Sequence, residues 1–112
     1  MKHVLNDSDL MTLLAILRLG EQAYGVSLSR ELSAMTGRAA ALASVYRTLE
    51  RLEACGLVTS RMGEPSPERG GRAKRFAEVT VEGMRAIDAT RRLLNTLWKD
   101  VPVYGSARRG GA

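Results

Sequence analysis

The chain divides by the period of its apolar residues. In "NDSDLMTLLAILRLG", Leu10, Leu13, Leu14 and Leu17 recur at helical steps after a run of capping side chains, and Gly20 follows. That spacing predicts an amphipathic helix over 8–19, its free amides met by the Asn, Asp and Ser that precede it. "AYGVSLSRELSAMTG" repeats the plan, with Tyr24, Leu28, Leu32 and Met35 on one face and Gly37 as the stop. Gly25 weakens the first turn of this helix by up to ~1 kcal/mol against alanine, so close packing is expected there. "AAALASVYRTLERLEACG" predicts a third helix over 40–54 that ends before Gly56, with Val45, Tyr46, Leu49 and Leu52 as its apolar stripe.

After Gly56 the period falls to two. "LVTSRMGE" and "AKRFAEVT" read as short strands, and "PSPERGGR" between them, rich in Pro, Gly and Ser, reads as a turn or loop. Thr80 then caps a long fourth helix, "VEGMRAIDATRRLLNTLWKDV", which Pro102 ends. The tail over 103–112 is small and polar and is expected to be disordered. The result is a mainly α fold with a small β-hairpin. Three helices, a two-stranded wing and a further helix are the layout of a winged helix-turn-helix, whose third helix enters the DNA major groove. The expected division is a DNA-binding domain over 1–80 and a dimerisation helix over 81–102. That last helix has little of its own domain left to cover it. Its stripe of Ile87, Leu94, Leu97 and Val101, with Leu93 and Trp98 beside it, is expected to pack on a second copy.

Composition adds a class and a charge. With 112 residues, 45% hydrophobic and 26% charged, the chain fits one globular domain rather than a disordered segment. The net charge of +5 is unevenly placed: residues 1–60 hold six basic and six acidic groups, residues 61–112 eleven and six. A local excess of this kind attracts a polyanion. A membrane surface is the competing anion, but no segment pairs a basic face with bulky apolar residues as such anchors do, and no apolar run approaches ~18 residues. The start "MKHVLNDSDL" is too polar for a signal peptide, and Cys55 has no partner cysteine, so a cytoplasmic protein is expected. Cys55 itself reads as a small buried residue.

Two constellations carry chemistry. On the third helix Ser44, Arg47, Thr48 and Arg51 recur opposite the apolar stripe. Arginine suits guanine O6/N7 or phosphate, and hydroxyls suit base edges or backbone. The simpler reading is a solvated face on which Glu50 or Glu53 pairs with neighbouring arginines. In "ERGGRAKR", Arg69, Arg72, Lys74 and Arg75 follow one another with no acid among them, and two glycines allow close approach to phosphate or a narrow minor groove. Catalysis finds little: His3 is the only histidine, with no second ligand at metal spacing. Gly70 and Gly71 sit in a hairpin rather than between strand and helix, so no nucleotide loop is present. No catalytic residue, metal or cofactor is expected, and the chain does not read as an enzyme.

"LLAILRLGEQAYGVSLSREL", "ASVYRTLERLEACGLVTS" and "GGRAKRFAEVTVEG" together resemble, in order and spacing, the PadR family of bacterial transcriptional regulators, from about residue 10 to 87. The resemblance implies a winged-helix dimer that binds double-stranded DNA, usually a repressor at a two-fold symmetric promoter site. It places Ser44, Tyr46, Arg47, Thr48 and Arg51 on the recognition helix and Arg69 to Arg75 on the wing. It also implies that a chain with one C-terminal helix dimerises through it, often with the first helix. No effector follows from it. Two alternatives stay open: a winged-helix adaptor that binds an acidic protein, and a regulator that senses a small molecule held between two C-terminal helices near Trp98.

Overall fold

Short side chains set where the helices begin. Asn6 accepts from the Asp9 amide to start α1 (Asp7–Leu19), and Thr80 accepts from the Gly83 amide to start α4 (Val81–Trp98). Between them the chain forms α2 (Gly25–Thr36), α3 (Leu42–Ala54), β1 (Val58–Met62) and β2 (Arg75–Val79). The computed structural model describes residues 4–64 and 73–102. The expected order of helix, helix, helix, hairpin, helix is the observed one, and the architecture is that of a winged helix-turn-helix.

The turn between α2 and α3 is held from both sides. Ser29 Oγ donates to the Ala40 carbonyl at 2.5 Å, and the Ala40 amide donates to Ser33 Oγ at 2.9 Å. Both backbone groups of Ala40 are therefore engaged by α2, and α3 begins at Leu42 rather than at residue 40 as expected. Gly37, at φ 75°, closes α2 in the left-handed conformation that favours glycine.

β1 and β2 pair antiparallel, from Val58 opposite Val79 to Met62 opposite Arg75. The outer edge of β2 is used as well: the Ala77 amide donates to the Ala23 carbonyl at 2.8 Å, beside a bridge between Tyr24 and Phe76. β2 thereby ties the hairpin to the entry of α2.

The core gathers Leu13, Ile16, Leu28, Val45, Leu52, Leu57, Val58 and Ala86. Three expectations about burial are corrected. On α1 the buried arc runs through Asp9, Thr12, Leu13, Ala15 and Ile16, whereas Leu14 and Leu17 remain 40% and 42% exposed. Met35 lies exposed near the end of α2. Cys55 is exposed, because it caps the last turn of α3 on the solvent side instead of extending the buried stripe.

α4 changes character along its length. Gly83, Ala86 and Thr90 are buried, Ile87 packs against the core, and the Leu5 amide donates to Thr90 Oγ1 at 3.0 Å. From residue 91 to residue 102 every side chain is exposed. The helix leaves its domain as an arm, which fits a radius of gyration of 17.4 Å where a compact chain near this length has about 13 Å.

Candidate nucleic-acid interface

The phase of α3 follows from what it buries. Val45 and Leu52 are buried, and Thr48 and Leu49 are half-buried beside them. At 100° per residue the opposite line runs through Ala43, Arg47, Glu50 and Ala54, all exposed. Ser44 and Arg51 flank that line on one side, and Leu42 and Tyr46 on the other. The hydrogen-bonding stripe expected from the sequence is thus rotated: Ser44 and Arg47 stand on the open face, while Thr48 turns toward the core. Ala43 and Glu50 enter the face unanticipated. Helical arithmetic from Val45 and Leu52 alone would have found them.

The two arginines of α3 have different surroundings. Arg47 Nη2 donates to Ser44 Oγ at 3.1 Å, which holds both polar groups together at the outer surface. Arg51 Nη1 lies 2.7 Å and 2.8 Å from the two carboxylate oxygens of Asp9, on α1. The Asp9 side chain is only 12% exposed and that of Arg51 49%. Removing the guanidinium would leave a nearly buried carboxylate without its partner. Arg51→Ala is therefore expected to lower stability by about 1–2 kcal/mol, discounted for the solvent on the arginine side. Urea unfolding checks this, and an unchanged midpoint would show the pair to be idle.

Tyr46 explains Gly25. A Cβ at residue 25 would lie 2.5–2.6 Å from the Cε1, Cζ and hydroxyl of Tyr46. The close approach expected at this glycine is the Tyr46 ring, laid over the first turn of α2.

The hairpin stem is fastened to α3 and to the entry of α2. Arg75 Nη2 lies 2.9 Å from Glu53 Oε1, and its Nε donates to Ser60 Oγ at 3.0 Å. Ser60 in turn donates to Glu53 Oε2 at 3.2 Å. The Lys74 ammonium sits 4.5 Å from the centroid of the Tyr24 ring, which meets Phe76 edge-on at 5.6 Å. On the neighbouring strand Arg61 lies 4.6 Å from the Phe76 centroid and 3.1 Å from Glu78. Arg61 is a wing cation that the sequence reading missed. Its register opposite Phe76 is the signal that marks it. Arg69 and Arg72, and the tail over 103–112, lie outside the described residues.

Leu94, Leu97, Trp98 and Val101 are exposed, with Leu97 at 60% and Trp98 at 62%. Leu94, Leu97 and Trp98 continue the face that buries Gly83, Ala86 and Thr90 nearer the start of α4, with Val101 just beyond the helix end, so one stripe is half covered by its own domain and half open. Among the described residues no cluster of His, Cys, Asp or Glu could hold a metal ion, and no helix is long and apolar enough to cross a membrane.

The family described as "Transcriptional regulator PadR-like family" matches residues 13–89. Solved structures similar to the chain include a transcriptional regulator from Clostridium thermocellum, at 22% identity and a TM-score of 0.64 over 81% of this chain and 85% of that one. A PadR family transcriptional regulator from Eggerthella lenta is similar at 25% identity and a TM-score of 0.56, over 79% and 77% of the two chains. A third, a PadR family transcription regulator from Clostridium difficile, has 17% identity and a TM-score of 0.56 over 79% and 93%. No curated protein matches the chain.

Proposed function

The chain belongs to the PadR-like family of transcriptional regulators, and on that premise we propose that it is a homodimeric repressor whose α3 reads a two-fold symmetric operator and blocks a promoter. The family is one of regulators, not enzymes. The observation that carries the reading is the outward face of α3, where Arg47 and Ser44 project from a helix fixed on its other side by Val45 and Leu52. Recognition helices present such side chains to base edges in the major groove. The hairpin beside it offers Arg61, Lys74 and Arg75 at its stem, with Arg69 and Arg72 in the same segment of sequence, for phosphate contacts that orient the protein without reading sequence.

Dimerisation rests on the open half of the α4 stripe. Leu94, Leu97, Trp98 and Val101 would meet the partner, and Ile87 would serve the protomer's own core and the edge of the interface together. Leu14 and Leu17 of α1 are half-exposed as well and offer a second apolar surface. A two-fold pair of α3 helices then matches two half-sites.

Selection and sequencing of bound genomic fragments, followed by a salt titration on the enriched sequence, tests the reading. Arg47→Ala is expected to weaken binding by about 1–3 kcal/mol and to relax one base preference, with the fold's stability unchanged. Lys74→Ala is expected to weaken all sequences alike and to lower the salt slope by about one. No enriched motif, together with affinity indifferent to salt, would favour an adaptor for an acidic protein instead.

A further inference from the structure

Glu50 is the acidic member of the outward line of α3, exposed between Arg47 and Ala54. A carboxylate in that position faces a polyanion, so it opposes binding to any stretch of phosphate backbone. The fold had means to neutralise it. Arg47 is three residues away on the same face, yet its guanidinium is turned to Ser44. Arg51, the next residue, points about 100° away round the helix and is held by Asp9. The other acid of the helix, Glu53, is held by Arg75 and Ser60. Among the described residues no ion pair engages Glu50.

We propose that Glu50 is a specificity-determining residue that accepts a hydrogen bond from the N4 amino group of a cytosine in the major groove. The proposal rests on α3 being the helix that reads DNA. A carboxylate has acceptors only, and the exocyclic amino group of cytosine is the donor that suits it at a base edge. Arg47 and Glu50 are three residues apart, about 4.5 Å along the helix at 1.5 Å per residue. Successive base pairs are separated by about 3.4 Å, so the two side chains address neighbouring pairs when the helix lies along the groove. Arg47 takes guanine and Glu50 takes cytosine. The same carboxylate weakens binding everywhere else, since phosphate offers it no donor. Discrimination then rises through the partner it accepts and through the backbone it repels.

The experiment compares the motifs enriched by the wild-type protein, Glu50→Ala, Glu50→Gln and Arg47→Ala, with thermal melting to show that each variant is folded. Glu50→Ala is expected to lose about tenfold discrimination at one cytosine while binding unrelated DNA more tightly. Glu50→Gln is expected to move that position toward adenine, whose N6 and N7 match a carboxamide. Unchanged motifs in both Glu50 variants, with Arg47→Ala still relaxing its own base, would overturn the role of Glu50 and leave the DNA-reading helix intact. A uniform gain in affinity with no change of motif would likewise overturn it, because the carboxylate would then act only by repulsion. If the wild-type protein enriches no motif, the reading of α3 falls and Glu50 falls with it.

Discussion

Gly83→Ala is expected to destabilise the protein by about 2 kcal/mol, although alanine is the better helix former by up to ~1 kcal/mol. Gly83 lies in the first turn of α4, its amide held by Thr80 Oγ1 at 3.0 Å. A Cβ there would run into the carbonyl oxygen of Leu57 and would lie 2.7 Å from Val79 Cγ1. The first obstacle is backbone, and that backbone is pinned: the Leu57 carbonyl accepts from the Thr80 amide at 3.0 Å, and the Leu57 amide donates to the Leu52 carbonyl at 2.9 Å. No rotamer change relieves the contact. Either α4 tilts away from the hairpin or β1 shifts, and both disturb the packing of Ala86 on the core. A fall of about 10 °C in melting temperature is expected, at 4–8 °C per kcal/mol for a domain of this size. Thermal melts followed by circular dichroism read this directly. A rise would mean that the helix start is not seated on Leu57 and Val79, since an exposed helical glycine gains from alanine.

The second large effect is expected from Leu94→Glu combined with Leu97→Glu. Both side chains are exposed in the protomer, at 40% and 60%, so their replacement leaves the three-helix core untouched. In a dimer they would be buried against the partner, and four carboxylates per interface would then be placed in an apolar seam. Light scattering at micromolar concentration is expected to show a monomer. Operator affinity should fall by about 10²–10⁴, because a second half-site is no longer offered at the millimolar effective concentration that linkage provides. Trp98 fluorescence should shift toward a solvated indole in the same samples. A dimer that persists with unchanged affinity would place the interface elsewhere, with Leu14 and Leu17 of α1 the next surface to alter.

Much of the frame was legible before any coordinate. Leu13 and Leu28 at helical spacing, the caps at Asn6 and Thr80, the stops at Gly37 and Gly56 and the switch to period two at Leu57 are local signals, and each element they predict is present. One boundary moved for a tertiary reason. Ala40 left α3 because Ser29 and Ser33 of the preceding helix hold both of its backbone groups. α4 ends at Trp98 instead of running to Val101, and Asp100 beyond it has a φ of 64°.

The chain by itself determined the kinds of element, their order and the sign of the charge around the hairpin, because periodicity, capping and composition act over a few residues. It also determined that α3 has an apolar stripe and a polar one. What it left open was phase and partnership. A stripe records that one face is buried but not where the arc is centred, so Leu14, Leu17 and Met35 share the apolar spacing of their helices and yet lie exposed. Thr48 and Arg51 read like Ser44 and Arg47 until a carboxylate 42 residues earlier took Arg51. Glu50 shows the converse, an exposed acid in mid-face that no ion pair among the described residues engages. Ion pairs depend on which side chains the fold brings within about 4 Å, and that proximity belongs to the packed chain alone.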